Sequence, residues 1–229
     1  MTAPGDAKRA TPLRLAHRGD WRAAPENSLE AIVGAMRIPA CDGVEFDVRL
    51  SRDGVPVLLH DATLTRVQGR PGRVDQLAAA ALERAGVPRL DTVLAALPET
   101  AYLDVELKGD AHGEATADVL RAHRGEAPGR AILSSFDGAA LATMRELLPD
   151  WPRWLNAEDL APATLSLAVG LGCTTVSALW GSITPSSVER ARGAGLAVAA
   201  WTVRKVETFE RMGRLGVVAC CVEGEALGA

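Results

Sequence analysis

The run GVEFDVRLSRDGVPVLLHD, residues 43–61, sets Glu45, Asp47 and His60 among valines and leucines. A strand sends residues i and i+2 to one face. Glu45 and Asp47 therefore share a side, as do Asp104, Glu106 and Lys108 within AYLDVELK, 101–108. Asp53-Gly54 is a hairpin-turn signal. A turn around Arg52-Asp53 places Glu45 opposite His60, to within about a residue or two. Two carboxylates aimed into one low-dielectric site repel each other and must be neutralised or protonated. A divalent cation removes the conflict, because hard cations take oxygen ligands, and Glu106 is a natural third carboxylate. Glu45, Asp47 and His60 then meet as potential metal ligands or acid–base groups.

Further candidates fall at comparable places. His17 ends LRLAH, Trp201 sits late in LAVAAWTV, and Glu106 and Lys108 close their own run. Each has an ordinary structural reading when taken singly: a solvated Glu-x-Asp face, a satisfied core histidine, an exposed Glu106-x-Lys108 salt bridge of little energetic worth, a core tryptophan. What sets them apart is their shared position at successive strand ends.

The elements that must carry them alternate. Strands are expected at 13–17, 44–50, 55–60, 101–108, 131–136, 153–157, 174–179, 196–203 and 217–222. Helices are expected at 28–37, with Asn27 as N-cap, and at 91–97, 114–124, 138–148, 185–195 and 205–216. Strand–helix alternation implies a parallel sheet. Only SRDG joins the runs 44–50 and 55–60, too short for a crossover helix, so 55–60 is expected as an antiparallel return strand. Eight parallel strands then point to an α/β fold of the closed (β/α)8 barrel type, whose active sites lie at the C-terminal strand ends. An open doubly wound sheet is the alternative, but no G-x-G-x-x-G follows the first strand. Segment 61–100 reads as a short insertion, and residues 1–229 as a single domain.

Composition limits the rest. A net charge of −4 argues against a general nucleic-acid binder, which needs a basic face. No apolar run reaches the roughly 18–20 residues of a membrane span. The first residues, MTAPGDAKRA, do not read as a secretory leader. Cys41, Cys173, Cys220 and Cys221 lack zinc spacing and stand in apolar contexts. They read as reduced core residues of a cytoplasmic protein.

The motifs LAHRGDWRAAPENSLEAI, DGVEFDVRLSRDGVPVLLHDATLTR, LDVELK, ILSSFD and GLAVAAWTV, in this order over roughly residues 13–222, resemble the glycerophosphodiester phosphodiesterases. The resemblance implies hydrolysis of a small-molecule glycerophosphodiester to glycerol 3-phosphate and an alcohol. It implies a divalent metal, Mg2+ or Ca2+, on Glu45, Asp47 and Glu106, with His17 and His60 as acid and base. Arg18 and Lys108 would hold the phosphate, and Trp201 would lie against the alcohol. Attack by the substrate's own glycerol hydroxyl, through a cyclic phosphate, and direct attack by water both stay open. A lysophospholipase D-like enzyme and a non-catalytic phosphodiester-binding barrel are the rival functions. The chain departs from the family pattern at Ser28, Arg204 and the ending CVEGEA, where Val222 and Glu223 replace a Thr-Asp pair expected to shape the pocket floor.

Overall fold

The computed structural model describes residues 11–228. The ends of the expected 1–229 domain and the expected absence of a leader fall on residues 1–10 and 229, outside the described residues. In chain order the elements are β1 (Leu13–His17), α1 (Leu29–Ala35), β2 (Gly43–Leu50), β3 (Pro56–Leu58), α2 (Thr65–Gln68), α3 (Ala79–Glu83), α4 (Leu90–Ala96), β4 (Tyr102–Leu107) and α5 (Glu114–Arg124). There follow β5 (Ala131–Ser135), α6 (Gly138–Leu147), β6 (Arg153–Ala157), α7 (Pro162–Gly170), β7 (Thr175–Leu179), α8 (Pro185–Gly193), β8 (Ala197–Val203), α9 (Val206–Leu215), β9 (Ala219–Val222) and α10 (Glu225–Gly228).

Eight parallel strands close on themselves in the order β1-β9-β8-β7-β6-β5-β4-β2, and β1–β2 pairing completes the ring. Every expected strand is present. β3 lies outside the ring, antiparallel to β2. Its turn is the expected one: Gly54 has φ +75°, a left-handed conformation that glycine adopts freely. The register is shifted by one residue from the expected pairing. Val48 faces Leu58, and the Asp47 carbonyl accepts from the Leu59 amide at 3.0 Å. β3 ends at Leu58, so His60 lies past the strand rather than in it.

Alternation along the strands sorts the side chains into two compartments. Val44, Phe46, Val48, Val105 and Leu107 point outward into the main core beneath the helices. The inward positions form layers, as barrel interiors do. Leu13, Leu15, Tyr102, Ile132, Trp154, Ala199 and Ala219 make an apolar plug. Two residues further along the strands come Asp104, Asn156, Ser177, Trp201 and Cys221, which line a cavity. Among the described residues, no helix is long and apolar enough to cross a membrane.

Three local expectations need correction. Helix α7 was not expected. Leu165 and Ala168 are buried while Leu167 and Val169 are exposed, so no apolar stripe with helical period marks it. The cap of α1 is Ser28, whose hydroxyl accepts from the Ala31 amide at 3.1 Å, not Asn27. The excursion after β3 is structured, with Leu64, Val74, Ala79, Leu82 and Val87 closing a small core against Val57 and Leu59. α4, placed within the insertion by the sequence, buries Leu90, Val93 and Leu94 in the main core and packs beside α5 as a ring helix. The excursion proper therefore ends by residue 89. All four cysteines are unpaired; Cys173, Cys220 and Cys221 are buried and Cys41 only partly so.

Candidate active site

The strand register itself assembles the acidic cluster. β2 pairs with β1 so that Glu45 adjoins His17, and with β4 so that Asp47 adjoins Glu106 and Glu45 adjoins Asp104. Carboxylate oxygens of Glu45, Asp47 and Glu106 lie within 4.8 Å of one another, and all three residues are buried. Burial, reinforced by Asp47, Glu106 and Asp104, pushes the Glu45 carboxyl well above the usual carboxylate range. Burial and the Asp47 charge also raise Glu106, against Lys108. Burial works to raise Asp47 too, but Arg18, Lys108 and His60 outweigh it and hold it low. Glu45 Oε1 is buried without a hydrogen-bond partner, and Asp47 Oδ1 meets only the Lys108 ammonium, 3.3 Å away and out of hydrogen-bond geometry. Such an orphaned oxygen, in an all-carboxylate set, fits a divalent cation.

The two histidines flank this cluster, each braced at Nδ1. His17 Nδ1 sits 2.5 Å from Glu223 Oε1, and its Nε2 lies 3.8 Å from Glu45 Oε2. His60 Nδ1 sits 2.7 Å from Asp61 Oδ1. A carboxylate at Nδ1 assigns the proton to that nitrogen and leaves Nε2 for chemistry. Asp61 is itself held well below the usual carboxylate range, first by hydrogen bonds from Arg66. Burial lowers His60 below the ordinary imidazole value, against the pull of Asp47 and Asp61. The backbone is fixed as well: Arg49 donates from Nε and Nη2 to the His60 carbonyl at 2.8 and 2.6 Å.

The expected phosphate ligands line the same cavity as the histidines. Arg18 Nε is 3.1 Å from Asp47 Oδ2 and its Nη1 donates to Glu26 at 2.9 Å. Lys108 Nζ is 2.5 Å from Glu106 Oε1 and 3.3 Å from Asp47 Oδ1. Trp201 is anchored by its indole N–H on the Ser177 carbonyl, 2.9 Å, and meets Phe136 edge-on at 5.4 Å. The β1–α1 loop delivers Arg18 through a tight bend. Gly19 has φ +83°, and a Cβ there would fall 2.5 Å from the Ala31 backbone. All these groups open on one cavity of about 460 Å³ at the C-terminal ends of the strands. His17, Arg18, Glu45, His60, Glu106, Lys108 and Trp201 line it, and Asp47 is buried directly behind.

Residues 17–223 match the glycerophosphoryl diester phosphodiesterase family. The chain belongs to that family. It is 27% identical over 224 residues to the glycerophosphodiester phosphodiesterase of Caldanaerobacter subterraneus, covering 90% of this chain and 91% of that one. Among solved structures, an Oleispira antarctica phosphodiesterase in complex with the product sn-glycerol-3-phosphate superposes with a TM-score of 0.83. It is 26% identical and covers 93% of each chain. A glycerophosphodiester phosphodiesterase from Agrobacterium tumefaciens gives a TM-score of 0.81 at 25% identity, covering 95% of this chain and 99% of that one. Family membership makes this chain a phosphodiester hydrolase acting on glycerophosphodiesters.

Within the family frame, several site residues escaped sequence reasoning. Glu223 was read as pocket floor, yet it is the partner of His17. Nothing in the local pattern reveals a contact across 206 residues. Arg49, Asp61, Glu26 and Arg66 carry no local signal that sets them apart from other charged residues. Asn27 was read as a cap. Instead its amide donates to Asp47 Oδ2 at 2.8 Å while its oxygen accepts from the Asp47 amide at 3.1 Å. It does so from a left-handed φ of +58°, which asparagine tolerates better than most residues. Asn27→Ala is expected to destabilise the fold by about 2–4 kcal/mol, from the lost buried donor and the strained backbone. Urea denaturation checks this, and a loss under about 0.5 kcal/mol would show that Asn27 does not support Asp47.

Proposed function

We propose that the enzyme releases glycerol 3-phosphate and a free alcohol, with His17 and His60 as its acid and base. Glu45, Asp47 and Glu106 would hold a divalent ion, Mg2+ or Ca2+. Bound there, the ion would supply positive charge against a non-bridging phosphate oxygen. The observation that carries the reading is the convergence of three buried carboxylates between two imidazoles, each braced at Nδ1.

The chain's own groups account for the rest. Phosphodiester cleavage brings a nucleophile to an anionic centre and then releases a poor alkoxide. Arg18 and Lys108 add fixed positive charge, the guanidinium as a planar fork and the ammonium as a point charge. With His60 held neutral by burial, its Nε2 is free to take the proton of an attacking hydroxyl. His17, with its Nδ1–H held by Glu223 and a second proton on Nε2 for this step, then protonates the departing oxygen from Nε2. The Phe136–Trp201 pair offers an aromatic wall for the alcohol carbons. Residues 1–229 are taken as one catalytic unit, working in the cytoplasm.

A longer-chain lysophospholipid substrate has one observation in its favour. Trp21 and Phe136, 44% and 48% exposed, sit at the cavity mouth. They come from the β1–α1 loop and the end of β5, not from the excursion. Two rings cover a headgroup but leave an acyl chain in water. The test is an assay of purified protein with several glycerophosphodiesters and with lysophosphatidylcholine, Mg2+ and Ca2+ each supplied. Glycerol 3-phosphate should form from the water-soluble diesters at rates well above those for the lipid. Lipid-only turnover, or none, would overturn the proposal.

A further inference from the structure

Four permanently charged cations line the cavity: Arg18, Arg66, Lys108 and Arg204. Three are each shared between two carboxylates. Arg18 is shared by Glu26 and Asp47, and Lys108 by Glu106 and Asp47. Arg66 directs all three guanidinium nitrogens to Glu26 and Asp61.

Arg204 differs. Its Nε donates to Glu223 Oε2 at 2.8 Å, and among the described residues its two Nη atoms meet no protein acceptor. The side chain is 66% exposed, while Glu223 is 7% exposed and anchored on His17. The buried carboxylate thus holds the Nε side of the guanidinium. The opposite, end-on edge stays open, with two parallel N–H donors at the spacing of a carboxylate or phosphate.

Arg18 and Lys108 would already serve the scissile phosphate. The geometry points to Arg204 as the recognition point for a second negative charge, carried on the alcohol half of the substrate. The preferred substrates would then be glycerophosphodiesters whose headgroup bears a carboxylate or a phosphomonoester. This rests on the phosphodiesterase reading above and names the substrate class within it.

Two matched pairs test it. Glycerophosphoserine differs from glycerophosphoethanolamine by one carboxylate, and glycerophosphoinositol 4-phosphate from glycerophosphoinositol by one phosphate. The readout is the ratio of kcat/KM within each pair, for wild type, Arg204→Ala and Arg204→Lys. Because it is a ratio, any effect passed through Glu223 to His17 cancels. Wild type should favour the anionic member of at least one pair by about two- to fivefold, as expected for a charged pair on a mostly exposed side chain. Arg204→Ala should bring that ratio to about one, and Arg204→Lys should keep part of it because the charge stays and the fork is lost. The pair that responds tells carboxylate from phosphate.

Calorimetric affinities of the same four ligands for His60→Ala, with and without Arg204→Ala, give a second reading independent of turnover. A ratio near one in wild type for both pairs, or a ratio unmoved by Arg204→Ala, overturns the subsite and leaves the hydrolase intact. An Arg204-dependent affinity ratio in a protein that hydrolyses none of the four keeps the subsite and overturns the function.

Discussion

His60→Ala lowers kcat by about 10²–10⁴-fold, the worth of one positioned proton transfer, while the melting temperature stays that of wild type. The fold should survive because the side chain is 36% exposed and its backbone is held independently by the Arg49 fork on the carbonyl. His17→Ala should show a loss of the same order. Its side chain is more enclosed, but Glu223 keeps Arg204 as a partner when the imidazole goes. Glu223→Gln separates orientation from chemistry. The amide fits the same space, yet it can present a donor to Nδ1 and so favour the wrong tautomer, which should lower kcat more than it alters KM. The pH profile gives an independent check. His60 lies below the ordinary imidazole value, so as a base it stays neutral into mildly acidic solution. The acidic limb of kcat/KM should therefore fall below about pH 6.5, the unperturbed value, and move or vanish in His60→Ala. Steady-state kinetics across pH read both effects. A histidine variant with near-wild-type turnover would remove that residue from the acid–base pair.

How much of this was visible in the chain depends on the range of each signal. Period-two alternation is local, so the inward placement of Glu45 and Asp47 on β2 and of Glu106 on β4 was legible. So was the hairpin, because Asp53-Gly54 states its own geometry. Their convergence needed only one further step, that strands of a closed barrel deliver their C-terminal ends to one mouth. Contacts set by register were not legible. The His17–Glu223 pair depends on β1 lying between β9 and β2, a closure across almost the whole chain. Asn27 was misread because a capping asparagine and one that clamps a distant carboxylate share the same local sequence. Here Ser28 takes the cap and frees Asn27 to turn inward. Helix α7 was missed for a different physical reason: exposed Leu167 and Val169 erase the polar face by which an outer helix is recognised.

The largest loss of activity should come from removing the divalent ion. Chelation is expected to reduce turnover by at least about 10³-fold, since several kcal/mol of charge stabilisation at the phosphate would go with it. Activity alone is an incomplete test, because a chelator could act elsewhere, so the stability of the fold is the second readout. Glu45 buries an oxygen without a donor, and the cluster repels itself. Saturating Mg2+ or Ca2+ at a hundred times Kd should add about 2.7 kcal/mol, a rise of about 5–10 °C in Tm for a chain of this size. The sign with pH follows from the raised Glu45 and Glu106 carboxyls. Without the ion, these groups hold protons more tightly folded than unfolded. Their contribution to stability is therefore present at low pH and is lost as pH rises above the ordinary carboxylate range. The ion must displace those protons, so its affinity, and the Tm gain at fixed concentration, should increase with pH. Calorimetric scans with and without EDTA at about pH 6 and pH 8 measure this directly. Glu45→Gln should shrink the shift and raise the metal concentration needed for half-maximal activity. Full turnover in EDTA together with a Tm indifferent to either cation would leave three buried carboxylates with no electrostatic reason to meet, and the metal assignment would fall.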